Sequence, residues 1–391
     1  MNLQCKPVYE SLRVLIFNGL SPTSKLIIAK IMSGIVFGKA QMVDLHIIVY
    51  SNEINIAEGL KNEVIACAFP CINSIKVSSD LPSVADGDVF CFITNFPNPN
   101  SFDFNKEPSE EVFDTLYLIT KLANNFVWPE DTEDIRNEGY NNKEIQNKTK
   151  RKPIFVTDGL IAVDILNSLS KNMPPDVFYC STPITAIGKS ILAEYLNVHG
   201  NVINKVLVWA ANDETFHIEV KKPFVIHEES DSQCDSGLLA KDFLESLNLD
   251  PTQFNATWMK KDFIEKIAMS ASKNPYGCIY KAAEFARTLR NIWKARDSSE
   301  IHSNMGVISD GSLGTAKGLP YVLPIIMKGE TWNVNTSFYE ESAHLKQELK
   351  RINVAVKNHH KRLIIHCKRF LEENVINQAF IPSDVDSGSV Y

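Results

Sequence analysis

No apolar run in the 391-residue chain approaches the ~18–20 residues of a membrane-spanning helix. Cationic charge is also short. The chain has 40 Lys and Arg against 47 Asp and Glu, a net charge of −7, which argues against a general nucleic-acid binder with a basic face. The opening stretch MNLQCKPVYESLRVLIF has no charged n-region followed by a long apolar run and a small-residue cleavage site, so no secretory signal is expected there. The eight cysteines, at 5, 67, 71, 91, 180, 234, 278 and 367, form no CxxC. They lie mostly inside apolar stretches, such as Cys91 in DVFCFIT, and read as reduced, buried thiols of a cytoplasmic protein. Cys67 and Cys71 are four apart, but Pro70 ends the helix that would place them on one face, and no metal site is expected.

What is present is alternation. At roughly 100–200 residues per domain, the length fits two or three domains. Leu12–Phe17 (LRVLIF) is a short continuous apolar run, the mark of a strand buried on both faces. Pro22 to Met32 reads as a helix, with Ser21 as N-cap and Pro22 at its first position. Leu45–Tyr50 reads as a strand, Ile54–Phe69 as a helix, Ser74–Ser78 and Val89–Thr94 as strands, and Glu110–Phe126 as an amphipathic helix. This order predicts a mostly parallel sheet with helices on both faces, the layout of a nucleotide-binding domain.

Residues 129–152 interrupt the alternation with 12 charged residues in 24 and read as a solvated loop ending in the basic cluster Lys148–Lys152. Beyond it, Pro153–Thr157 reads as a strand, Ile161–Leu169 and Ile184–Leu196 as helices, and Asn204–Trp209 as a strand. Two short strands within Thr215–Ile226 are expected to pair as a hairpin. Glu265–Ala271 and Tyr280–Ala295 read as helices, and Met305–Ser309, Tyr321–Met327 and Thr331–Val334 as strands. A long helix over Tyr339–Glu373 precedes a polar tail.

Three segments carry a resemblance. MGVISDGSLGTAKGLPYVLPIIMKGETWNV (Met305–Val334) resembles the C-terminal core of cytosolic malate dehydrogenases. VLIFNGLSPTSKLIIAKIMSGIVFGK (Val14–Lys39) resembles their first βα unit, and NKVLVWAAND resembles the strand that ends at the family's catalytic histidine. The order and spacing match over about residues 12–375, and the divergent malate dehydrogenase 1B group is the most similar. The resemblance implies an α/β fold. A Rossmann-like NAD-binding domain (1–158, with the insertion 129–152) is followed by an α+β malate/lactate dehydrogenase-type C-terminal domain (159–391). It further implies a cytoplasmic homodimer, and the 1B-like character points to cilia or flagella.

The family's reaction needs a histidine base, an aspartate that orients it, and arginines that clamp the dicarboxylate. The resemblance places Asn212 at the histidine, Thr182 and Ile184 in the segment of the aspartate and its neighbouring arginine, and Asn98 and Phe104 at the loop arginines. Asparagine exchanges no proton near neutral pH. From Val14 to Ala286 the only arginines are Arg136 and Arg151, both in the polar insertion. Lys106 and Lys189 offer point charge without the fork geometry, and His217 is the nearest histidine to the missing base.

The NAD site is eroded. Asn18, Ser21 and Ser24 stand at the turn glycines, Gly19 survives one place off, and Ser51 stands at the acid after the second strand, with Glu53 two residues later. Asp158 replaces an asparagine near the substrate carboxylates. The expectation is a malate-dehydrogenase-like protein with a degenerate site, acting as a structural or regulatory binder of an unidentified protein partner. The alternatives are a working NAD-dependent malate dehydrogenase and a non-catalytic dinucleotide sensor.

Overall fold

A computed structural model describes residues 10–79, 87–96, 110–126, 152–200, 203, 206–220, 258, 261–273, 277–297, 299–337, 339 and 342–379. The remaining stretches of the sequence, including most of the insertion 129–152, Asn98, Phe104, Lys106, Arg136, Arg151, Cys5 and Cys234, lie outside the described residues.

The N-terminal half builds the expected alternation. Strands β1 (Leu12–Phe17), β2 (Val43–Ile48), β3 (Ile72–Ser78), β4 (Val89–Phe92), β5 (Ile154–Thr157) and β6 (Phe178–Cys180) pair in parallel in the order β3-β2-β1-β4-β5-β6. Between them run helices α1 (Pro22–Met32), α2 (Ile54–Ala66), α3 (Glu110–Asn125) and α4 (Leu160–Leu169). Successive β1 residues go to opposite cores. Val14 and Ile16 pack with Ile27 and Ile31 of α1, while Leu15 and Phe17 pack with Leu116 and Ile119 of α3. That is why β1 reads as an unbroken apolar run. A column of phenylalanines fills the second core, with Phe17 stacked on Phe92 and Phe90 on Phe155 at centroid separations of 4.3 and 4.6 Å.

The C-terminal half continues the same sheet with antiparallel strands β7 (Val206–Ala210), β8 (Phe216–Val220), β9 (Ile301–Ile308), β10 (Pro320–Lys328) and β11 (Thr331–Val334). The parallel and antiparallel parts join where Cys180 of β6 pairs with Gly306 of β9. A Cβ at Gly306 would lie 2.4 Å from Cys180 Cβ and 2.6 Å from Leu160 Cδ2, so only glycine allows this seam to close. Helices α5 (Pro183–Leu196), α6 (Phe263–Lys273), α7 (Cys278–Ala295) and α8 (Ala343–Ala379) complete the described elements.

β8 falls on the first of the two strands expected within 215–226 and pairs with β7 in the register Trp209↔His217, where Phe216 and Ile218 supply the apolar complement of the β7 run. Residues 221–226 lie outside the described residues. The three-residue strand β6 was not anticipated, since so short a run carries no period. The Ser21 cap forms as expected, with Ser21 Oγ accepting from Ser24 N and Pro22 at the first helical position.

Candidate active-site cleft

The C-terminal ends of the parallel strands open onto two adjoining cavities, and Thr94, just beyond β4, lines both. Ligands of doubly wound sheets bind in this location.

The first cavity, about 200 Å³, is lined by Phe17, Asn18, Ile48, Tyr50, Ser51, Thr115 and Ile119 among others. Asn18 takes the left-handed conformation, φ 57°, and its Nδ2 donates to Ile93 O at 3.0 Å, tying β1 to β4. Gly19 is required by packing, because a Cβ there would lie 2.3 Å from Ile47 Cγ2. Ser51 lines the cavity. Glu53 turns back instead, its Oε2 accepting from Tyr50 N at 3.2 Å, and is absent from the lining.

The helix start beside this cavity has lost two of the donors it could offer to phosphate. Ser24 N is taken by Ser21 Oγ at 3.1 Å, Ser24 Oγ donates to Asn18 O at 2.7 Å, and Pro22 has no N–H. A pyrophosphate cradle depends on free N–H groups at this position. The residues present therefore leave a cavity at the base end of a dinucleotide site and weaken its pyrophosphate cradle.

The second cavity, about 120 Å³, lies where β4, β5, β6 and β7 end against α7. Thr182 and Ile184 line it, and both are buried. Thr182 Oγ1 donates to Asn304 O at 2.9 Å, a structural bond across to β9. Asn212 Oδ1 accepts from Glu214 N and Thr215 N, both at 2.8 Å, which makes the side chain the pivot of the β7–β8 turn. Its Nδ2 is buried with no hydrogen-bond partner among the described residues.

Asp158 lines the same cavity. One carboxylate accepts three bonds, from Thr94 N (2.9 Å), Thr94 Oγ1 (2.7 Å) and Asn95 N (2.8 Å), so it holds the segment after β4 in place. Burial pushes its pKa above the ordinary carboxylate range, opposed by those donors and by the Lys281 ammonium. Two further charged groups in the lining, Asp213 and Lys281, were not singled out from the sequence. Asp213 adjoins Asn212, and Lys281 shares the α7 face of Phe285 four residues on, but nothing local marks either as facing a cleft. Asp213 is solvent-exposed at the rim; desolvation by the adjoining protein raises its pKa, and the Lys281 ammonium opposes the rise. Cys180 is fully buried in the lining, and burial pushes its thiol pKa strongly upward.

The other candidates lie elsewhere. His217 projects with Trp209 from the face opposite Val208 and Ala210, its Nε2 meets Glu219 Oε1 at 2.9 Å, and it is not in the cleft lining. Lys189 sits near Glu284 and Arg287, also outside the lining, and burial lowers its pKa. Among the described residues no group of three or more His, Cys, Asp or Glu is arranged to hold a metal, and no helix is long and apolar enough to cross a membrane.

No protein-family model matches the chain. Its sequence is 23% identical to the cytoplasmic malate dehydrogenase of Gallus gallus over 332 residues, covering 83% of this chain and 88% of that one. A segment of 149 residues, 38% of this chain and 27% of the relative, is 28% identical to the human malate dehydrogenase 1B. Among solved structures, a Trichomonas vaginalis lactate dehydrogenase in complex with NADH and oxamate superimposes with a TM-score of 0.68 at 14% identity, covering 92% of this chain and all of the other. A malate dehydrogenase from Naegleria fowleri gives 0.63 at 12% identity, covering 91% of this chain and 99% of that one. The chain therefore has the fold of the malate and lactate dehydrogenases and is similar in sequence to the cytoplasmic malate dehydrogenases along most of its length.

Proposed function

We propose that this protein keeps the malate dehydrogenase scaffold with a degenerate active site and works by binding, without turning over malate. The observation that carries the reading is Asn212. It stands where the family's base is expected, and its acceptor oxygen is occupied by two backbone donors of its own turn. General acid–base catalysis contributes roughly 10²–10⁴ in rate, and neither Thr182 nor Ile184 supplies a carboxylate to support a base here. No arginine lines the described cleft, so a dicarboxylate meets the carboxylates Asp158 and Asp213 without a bidentate cation. The test is oxaloacetate-dependent loss of NADH absorbance with purified protein at high concentration. The reading expects none above a heat-killed control.

A second reading, a dinucleotide sensor without turnover, is favoured by the 200 Å³ cavity beside Asn18, Tyr50 and Ser51. Titration with NADH separates it from a scaffold that binds no nucleotide. We take the protein to be a cytoplasmic homodimer with its domain division at residues 158 and 159, a reading supported by its similarity to cytoplasmic malate dehydrogenases. Sedimentation tests the dimer.

A further inference from the structure

The free hydrogen-bonding groups on the substrate side of the cleft are neutral. Its apolar walls include Ile184, Phe285 and Val322, all buried. The Asp158 oxygens are committed to Thr94 and Asn95, and Asp213 is exposed at the rim. Two hydroxyls line the interior, those of Ser181 (3% exposed) and Thr23 (5% exposed), and neither makes a hydrogen bond with the described residues. Asn212 lines the same cavity. Two backbone N–H groups hold its Oδ1 at 2.8 Å, which fixes the orientation of the amide. Its Nδ2 is left as a buried donor with no hydrogen-bond partner among the described residues. Such a donor is costly, and a ligand oxygen that accepts from it relieves that cost.

Asn212 calls for an acceptor, and the charges decide which. Among the described residues no arginine lines the cavity, and the Lys281 ammonium is shared between Asp158 and Asp213. A carboxylate ligand therefore meets the like charge of Asp158 without a bidentate cation. An ammonium ligand fares no better, because the Asp158 oxygens already accept three bonds. An uncharged carbonyl meets neither cost. We propose that this cavity binds a small uncharged aliphatic amide. Its carbonyl oxygen accepts from Asn212 Nδ2, its N–H group donates to the Ser181 hydroxyl, and its apolar body rests on Ile184 and Phe285. The inference rests on the reading that the cleft is not a malate site, and it names what replaces malate.

Ligand-observed NMR titration of the full chain with isobutyramide tests it, with isobutyrate as the anion of the same shape. Saturable one-site binding of isobutyramide is expected, and isobutyrate should bind at least tenfold more weakly. Asn212→Asp keeps the acceptor of the β7–β8 turn and replaces the free donor by an acceptor, so it should weaken the amide at least tenfold. Ser181→Ala should weaken it about fivefold, the loss of one neutral hydrogen bond. No saturable binding of isobutyramide, equal or tighter binding of isobutyrate, or an unchanged amide affinity in either folded variant would each overturn the proposal. The amide–carboxylate comparison uses only the unaltered protein, so it decides the matter even if a variant fails to fold. Absence of amide binding together with absence of oxaloacetate turnover removes this inference and leaves the non-catalytic reading standing. Oxaloacetate turnover removes both.

Discussion

Ser21 Oγ accepts the N–H of Ser24 at 3.1 Å, so the first turn of α1 caps itself with its own side chain. One of the N–H groups that a helix start offers to phosphate is thereby occupied. Ser21→Gly frees it at a cost of only a few tenths of a kcal/mol in cap strength. If the cap is what excludes pyrophosphate, NADH affinity measured by fluorescence titration rises about tenfold in the variant. That corresponds to one hydrogen bond to a charged group, roughly 1.5 kcal/mol. An unchanged or weaker affinity shows that the cap is not the obstacle.

Gly19 and Gly306 are held by packing. Alanine at Gly19 drives a Cβ to 2.3 Å from Ile47, and alanine at Gly306 drives one to 2.4 Å from Cys180. Each substitution is expected to lower stability by about 1–3 kcal/mol in urea unfolding. Gly59, whose added Cβ meets nothing within 4 Å, serves as the comparison and should lose no stability on change to alanine.

Asp158→Asn restores the residue type that the family resemblance implies at this position. It also turns an acceptor of three bonds into a group carrying its own N–H donors against Thr94 and Asn95. The variant is expected to be less stable by about 1–3 kcal/mol and to gain no oxaloacetate turnover. A stable variant would mean that the segment after β4 is held by something other than Asp158.

His360 of α8 meets Asp164 of α4 at 2.8 Å, and this hydrogen bond raises the histidine pKa above its ordinary 6.5 against an opposing effect of burial. Because the folded-state pKa is the higher one, the pair stabilises the fold fully below the unfolded-state pKa. That stabilisation is lost as pH rises through the folded-state value. The melting-temperature advantage of the wild type over His360→Gln should therefore be largest near about pH 6 and shrink toward about pH 8. An advantage that grows with pH contradicts this assignment.

Much of the fold was legible because its signals are local. The LRVLIF run fixes β1, and Ser21–Pro22 fixes the start of α1. Positions such as Asn212, Thr182 and Ile184 were legible through the resemblance, and the structure brings all three to one cavity. What stayed hidden is long-range. The partner of β8 depends on which strand offers the matching face, and β6 is too short to show a period. Asp213 and Lys281 meet only because a β-turn and the first turn of α7 converge on the same strand ends. No spacing within the chain encodes that meeting.

The central claim is that the scaffold no longer turns over malate, and reduction of oxaloacetate measures it most directly. Purified protein at high concentration, with oxaloacetate and NADH, should show no loss of NADH absorbance beyond a heat-killed control, and Asn212→Ala should behave identically. Turnover at a rate normal for malate dehydrogenases would contradict the account and require a base in the cleft that Asn212 does not provide.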